Sequence, residues 1–167
     1  AMVDIIGNNR TIRDVYHLDA KTEDYDAVME RLNRNGVPLV PHIILGLHFG
    51  KMLGEWKALE MTSKYQLKLL VLVILMPLNG TQMQNVSPPS LKEIGNFFNT
   101  ARKALPKTEI MLGCARPLGK IKIEVDRLAI EAGLNGIAYP AEGTLSYARQ
   151  HGLEPEIINA CCGVNWN

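Results

Sequence analysis

The chain has 167 residues, enough for one domain with a substantial hydrophobic core. Its 47% hydrophobic and 21% charged residues are those of a folded globular protein and exclude a disordered chain. A formal net charge of +1 gives no electrostatic case for binding nucleic acid or an acidic membrane. The longest apolar run, Leu69 to Met76, is too short to span a bilayer, and no basic segment leads into an apolar signal core. Three cysteines, Cys114, Cys161 and Cys162, are too few and too unevenly spaced for a disulfide framework. They suit a reducing, cytoplasmic setting.

In chain order, the apolar segment Asp14 to Leu18 reads as a first short strand, with Asp19 at its exit. Thr22 then caps a helix whose stripe is Ala27, Val28 and Leu32, with Met29 as a further candidate, and Asn35-Gly36 ends it. A second strand follows in PLVPHIILG, with its prolines expected near the strand's start. Gly46, Gly50 and Gly54 punctuate its exit loop, and a helix runs from about Glu55 to Tyr65. Leu70 to Leu75 is continuously apolar, which marks a parallel strand covered on both faces. A long Pro-, Gly- and Asn-rich exit runs from Met76 to Pro89. Ser90 and Glu93 then form a capping box for a helix that stops near Leu105.

Glu109 to Leu112 makes a fourth strand, and a helix from about Lys120 to Ala132 follows it. Ile137 to Tyr139 makes a fifth strand, before a helix over Thr144 to Gln150. Leu153 to Ile158 reads as a sixth short strand. The class is therefore α/β: a partial (β/α) barrel of five or six mostly parallel strands with outer helices, in a single domain over residues 1–167. Open barrel edges invite a homodimer or a complementary chain that completes the barrel.

Parallel α/β folds place ligands at the carboxyl ends of their strands, so the strand exits supply the candidate residues. Asp19, with His17 two residues earlier, would bind a sugar hydroxyl or shuttle a proton; the plainer reading makes Asp19 a turn cap and His17 a core polar group. Gly46 and Gly50 would let backbone approach a ligand closely, or simply meet a need for positive φ. His48 would donate a hydrogen bond to the ligand, and a metal held with His42 lacks an evident third ligand. Asn79 and Thr81 would bond a carboxylate from a rigid turn, or belong to an Asn-Gly turn chosen for its backbone.

Arg116 would grip a carboxylate through two parallel bonds, or pair internally with Glu142 or Glu124. Cys114 beside it would ligate metal or be an inert thiol. Glu142 would act as an acid or base, or cap the following helix. Cys161 and Cys162, being adjacent, are poorly placed to share a metal.

Several of these segments resemble the radical S-adenosylmethionine superfamily on its biotin-synthase-like side. YHLDAKTEDYDAVMERL resembles a mid-barrel strand, exit and helix of that family. PHIILGLHFGKMLGEWKAL is similar to the strand and loop beside the family's adenosyl group. Met76 to Thr81 resembles its proline/glycine/threonine loop, Gly113 to Pro117 its arginine-bearing strand exit, and Ala129 to Ile137 the helix-to-strand turn that follows.

The likeness covers the later part of the family's catalytic barrel. It implies S-adenosylmethionine as cofactor, with Asp19, Gly46, His48, Asn79, Thr81 and Arg116 lining its enclosure. The family's CxxxCxxC loop is absent from this sequence. A [4Fe–4S] cluster is thus expected only with a missing N-terminal half or a partner chain, and the chain alone is expected to be inactive. The alternatives are an aldolase-like or phosphate-using barrel enzyme with its own small-molecule ligand, and a non-enzymatic assembly module. Lys51, Lys120 and Lys122 fall in loop or helix positions, which weakens Schiff-base chemistry.

Overall fold

The computed structural model describes residues 1–160, 162 and 163. Five parallel strands form one sheet in the order β1-β2-β3-β4-β5. They are β1 (Met2–Asp4), β2 (Val40–Leu45), β3 (Leu70–Ile74), β4 (Ile110–Leu112) and β5 (Gly136–Ile137). Helices α1 (Asn9–Tyr16) and α2 (Thr22–Arg34) lie between β1 and β2, α3 (Glu55–Thr62) between β2 and β3, and α4 (Leu91–Ala104) between β3 and β4. Helix α5 (Lys120–Glu131) joins β4 to β5, and α6 (Thr144–Gln150) follows β5. Each strand pairs with the next in sequence, with no reversal of order. A doubly wound sheet would reverse at a switch point; the sequential order is that of a barrel wall, and the fold is a partial (β/α) barrel.

Strand alternation divides the apolar side chains between two faces. Ile43, Leu45, Leu70, Leu72, Ile74, Ile110 and Leu112 pack against the helices. There they join Leu59 and Met61 of α3, Ile94, Phe97 and Phe98 of α4, and Val125 and Ala129 of α5. Val40, Leu69, Val71, Val73 and Met111 form a separate cluster on the other face, to which no helical residue belongs. Cys162, 5% exposed, packs into that second cluster. Leu70 to Ile74 is buried throughout, as its unbroken apolar run requires.

Two expected strands are replaced. Residues 14–18 end helix α1 instead of forming a strand. Asn8 caps this helix by accepting a hydrogen bond from Thr11 N at 3.0 Å. Ile12 provides its buried contact, and Arg10 and Asp14 pair one turn apart at 3.1 Å. The first strand is the three-residue edge Met2–Asp4, which pairs with Val40 to His42. Residues 153–158 form no strand; they follow α6 as irregular chain, and Ile157 stays 75% exposed.

Smaller differences lie at the element ends. Lys21 rather than Thr22 is the cap of α2, where Asp24 accepts from Lys21 N at 2.7 Å. The fifth strand lies one residue earlier than expected and ends at Ile137. The Ser90–Glu93 box forms as expected, with Ser90 N donating to Glu93 at 2.9 Å and Glu93 N donating back to Ser90 Oγ at 3.3 Å.

Candidate functional site at the strand exits

The β2 exit is built around a buried carboxylate. Glu55, 4% exposed at the start of α3, accepts from Gly46 N at 2.9 Å and Leu47 N at 3.3 Å through Oε1. Its Oε2 accepts from Gly54 N at 2.9 Å. Burial pushes its pKa up, while the backbone N–H groups of residues 55, 54, 46 and 47 pull the other way. Gly50 N closes the turn onto Gly46 O at 2.8 Å, and both glycines have left-handed backbone, with φ of 78° and 83°.

The open side of each glycine faces protein rather than a ligand. A Cβ on Gly46 would overlap the Pro89 ring, and one on Gly50 would overlap Ser87 O. The glycines thus let the β2 exit loop interlock with the end of the β3 exit loop.

His48, expected to donate to a ligand, is buried. Its Nδ1 lies 3.3 Å from Thr11 Oγ1, and desolvation, with Arg10 nearby, lowers its pKa. The next residue, Phe49, turns the other way. It lines a cleft of about 300 Å³ between the end of α1, the β2 exit and the β3 exit loop. Val15, Phe49, Leu75, Met76, Leu78 and Met83 supply its apolar lining, and Asp14, His17, Thr81 and Gln82 its polar groups. Desolvation works against ionisation of Asp14, yet the hydrogen bonds from Arg10 and Arg13 win and hold its pKa below the usual value.

Backbone strain converges on the same place. Among the described residues, the non-glycine positions with positive φ are His17 (54°), Phe49 (50°) and Tyr139 (48°). Two of these three line the cleft. A left-handed backbone costs a side-chain-bearing residue roughly 1–2 kcal/mol, and such strain tends to collect where geometry matters for a ligand. His17 occupies the αL position that ends α1, where glycine is the usual residue.

A larger depression, about 470 Å³, is lined by Arg149, Leu153 and Pro155 at the end of α6. It is built from the turn after that helix. Helices of such a wall run opposite to the strands, so it belongs to the other end of the sheet. The exit cleft has the convergent elements and mixed lining of a ligand site.

Arg116 contradicts its expected role. Its side chain is fully enclosed, and the internal partner is Asp126 rather than Glu142 or Glu124. Nε donates to Asp126 Oδ1 at 2.8 Å, and Nη2 to Asp126 Oδ2 at 3.3 Å and Tyr139 O at 3.0 Å. Nη1 donates to Gly113 O and Ala138 O, both at 2.8 Å. A guanidinium carries five N–H donors, and these bonds occupy them all, leaving none for a ligand carboxylate. Asp126 also accepts from Ala141 N at 2.7 Å and Thr144 Oγ1 at 3.1 Å. The pair ties together the β4 exit, the β5 exit and α5. Tyr139 is presented 78% exposed, its carbonyl held by Arg116 and, at 2.5 Å, by Lys122 Nζ.

Of the other expected residues, Thr81 lines the cleft and donates from Oγ1 to Leu78 O at 2.7 Å. Asn79 is exposed in the same loop and is not part of the lining. Asp19 is exposed in the bend between α1 and α2, outside the lining and away from any strand exit. Sequence reasoning passed over Phe49, Met76, Met83 and Asp14, and also missed Glu55 as the support of the β2 exit. A signal existed for Glu55: an acidic residue opening a helix directly behind a glycine-rich loop.

Among the described residues, no three His, Cys, Asp or Glu side chains gather to hold a metal ion. Cys114 is exposed at the β4 exit, Cys162 lies on the helix-free sheet face, and Cys161 is outside the described residues. The two described cysteines do not by themselves supply the three or more converging thiolates that an iron–sulfur cluster needs. No helix is long and apolar enough to cross a membrane among the described residues. No family model matches the chain, and a comparison with curated proteins finds no significant match.

Proposed function

We propose that the chain is the later part of a radical S-adenosylmethionine-type barrel and that its strand-exit cleft takes the adenosyl portion of that cofactor. The carrying observation is the convergence of two strained ring-bearing residues, His17 and Phe49, on one mixed-polarity cleft beside the β2 and β3 exits. The sequential order of parallel strands supports the same reading. Phe49 offers a face for a flat base, Met76 and Met83 adapt to its outline, and Thr81 and His17 supply polar contacts at the rim. Because the sequence lacks the CxxxCxxC loop, the chain by itself binds and does not turn over. The cluster's electron chemistry would come from another chain segment or a partner.

Titration of S-adenosylmethionine, 5′-methylthioadenosine and ATP into isotope-labelled protein tests this reading by NMR. Both adenosyl thio-compounds are expected to shift Phe49, Thr81 and Met83 and to leave Ala115 to Pro117 unmoved. Since Arg116 has no donor to spare, loss of the methionyl carboxylate should change affinity by less than about tenfold, the factor that 1.4 kcal/mol represents. Saturable shifts confined to other surfaces, or none with any adenosyl compound, would end the proposal.

A further inference from the structure

The exit cleft has a charged flank that the adenosyl reading leaves unused. Asp14 of α1 lines the cleft and is held from two sides. Arg10 Nε donates to its Oδ2 at 3.1 Å, and Arg13 Nε to its Oδ1 at 2.9 Å. A guanidinium carries five N–H donors, and each arginine engages only its Nε. Neither side chain has a hydrogen bond or ion pair with any other group among the described residues, and they are 67% and 71% open to solvent. This is the reverse of Arg116, which is enclosed with every donor engaged. Asp14 therefore acts as a spacer that sets two guanidinium groups on either side of one carboxylate, with their Nη groups free. Lys51 adds a third cation nearby, since its backbone N donates to His48 O at 3.0 Å across the β2 exit turn. The buried His48 ring registers these charges. After burial itself, Arg10 does most to lower its pKa, Asp14 opposes, and Lys51 lowers it further.

We infer that Arg10 and Arg13, spaced by Asp14, form a subsite beside the cleft for the phosphate monoester group of a small-molecule ligand. A phosphate monoester has three acceptor oxygens and close to two negative charges near neutral pH, enough to accept from both guanidinium groups at once. It also answers the excess of cations over carboxylate at this place. A carboxylate ligand has fewer oxygens and less charge, and Asp14 already supplies that group. Guanidinium forks match phosphate geometry and are weakly hydrated, so they give up little water on binding it. The inference rests on the geometry of α1 and shares only the cleft with the adenosyl reading. With an adenosyl group in the cleft, the phosphate belongs to a second ligand, the substrate. With that reading set aside, it belongs to the molecule in the cleft itself.

NMR of the arginine Nε–H signals in the isotope-labelled full chain tests this, with AMP, adenosine, glycerol 3-phosphate and glycerol as probes. AMP and glycerol 3-phosphate should shift Arg10 and Arg13, and glycerol should not. AMP should bind about tenfold more tightly than adenosine or better, because its phosphate adds charge-assisted hydrogen bonds. That advantage should shrink as salt is raised. Arg10→Gln with Arg13→Gln should bring AMP down to the affinity of adenosine, with helix content unchanged. Arg10→Lys with Arg13→Lys keeps the charge without the fork and should restore only part of the advantage. Glycerol 3-phosphate that still shifts Arg10 and Arg13 when 5′-methylthioadenosine is bound would show the phosphate subsite serving a second ligand. Competition between the two would show it serving the molecule in the cleft. Failure of both phosphate compounds to shift Arg10 and Arg13 overturns the proposal. So does equal affinity for AMP and adenosine, or an AMP advantage that survives Arg10→Gln with Arg13→Gln. The adenosyl reading is judged separately, by the response of Phe49 and Met83 to 5′-methylthioadenosine, which carries no phosphate.

Discussion

The two halves of the strand-exit rim use polar residues in opposite ways. At β4 and β5, a buried arginine and a buried aspartate spend their bonds on each other and on the exit backbone. At α1, β2 and β3, the buried anchor is a carboxylate held by backbone N–H groups, and the side chains it helps to present face a cleft. The first half contains the residue most like a ligand grip and has nothing left with which to grip. The second contains an unremarked phenylalanine in a strained backbone, facing open space. Strained backbone occurs in both halves, at Tyr139 as well as at His17 and Phe49; unspent bonding capacity, rather than charge, separates a site from a brace.

The contrast breaks most sharply at Asp126. Asp126→Ala leaves Arg116 buried without its counter-charge and should cost about 3–5 kcal/mol in urea unfolding. Replacing both partners by apolar residues of similar size, Arg116→Met with Asp126→Leu, should recover only the part due to the uncompensated charge, because the carbonyls of Gly113, Ala138 and Tyr139 and the Ala141 N–H lose their partners. A small effect of Asp126→Ala would show that the β4–β5 half is not braced by this pair. Next in size, Gly50→Ala and Gly46→Ala should each cost about 1–3 kcal/mol, because each places a Cβ on left-handed backbone and against the β3 exit loop. Thermal unfolding of the two variants checks this.

His17→Gly should act in the opposite direction. Removing a side chain from left-handed backbone is expected to stabilise the fold by about 1 kcal/mol while weakening adenosyl binding. Phe49→Gly should weaken binding as well, with its backbone gain offset by lost packing of the ring. A His17→Gly protein that is both less stable and fully able to bind would remove strain as a marker of the cleft.

The smallest effect is in pH dependence. Glu55 has a raised pKa in the fold, so folding favours its neutral form relative to the unfolded chain. Its contribution is fully present below its unfolded value of 4.5 and is lost as pH rises through the folded value. The stability of the native protein relative to Glu55→Gln should therefore fall as pH climbs from 4.5 toward neutrality, measured as paired urea midpoints.

Much of the architecture was legible in the chain. Leu70 to Leu75 declared a covered parallel strand, and Ser90 with Glu93 declared a helix start, because both signals are local. The segment Asp14 to Leu18 misled because Val15 and Leu18 satisfy a strand's composition, while the decisive sign, Asn8 capping Thr11, lies six residues upstream. Met2–Asp4 is too short to show a period at all; its pairing with β2 makes it a strand.

The site was harder to read for a physical reason. Glu124 and Asp126 follow Arg116 closely in sequence and Glu142 lies much farther on, and only the packing of α5 beneath the β5 exit selects Asp126 over both. Gly46 and Gly50 correctly announced close approach, but the approaching object is the far end of the next loop, whose position no local pattern encodes.

That interlock governs how this rim can vary. Residues 76–89 are fixed at one end by β3 and clasped at the other, through Ser87 and Pro89, by the glycines of the preceding unit. The span between those anchors, which contributes Leu78, Thr81, Gln82 and Met83 to the cleft, can change length or lettering without disturbing either neighbour. Divergence in what the cleft accepts should accordingly be written in this one stretch, while its two moorings stay constant.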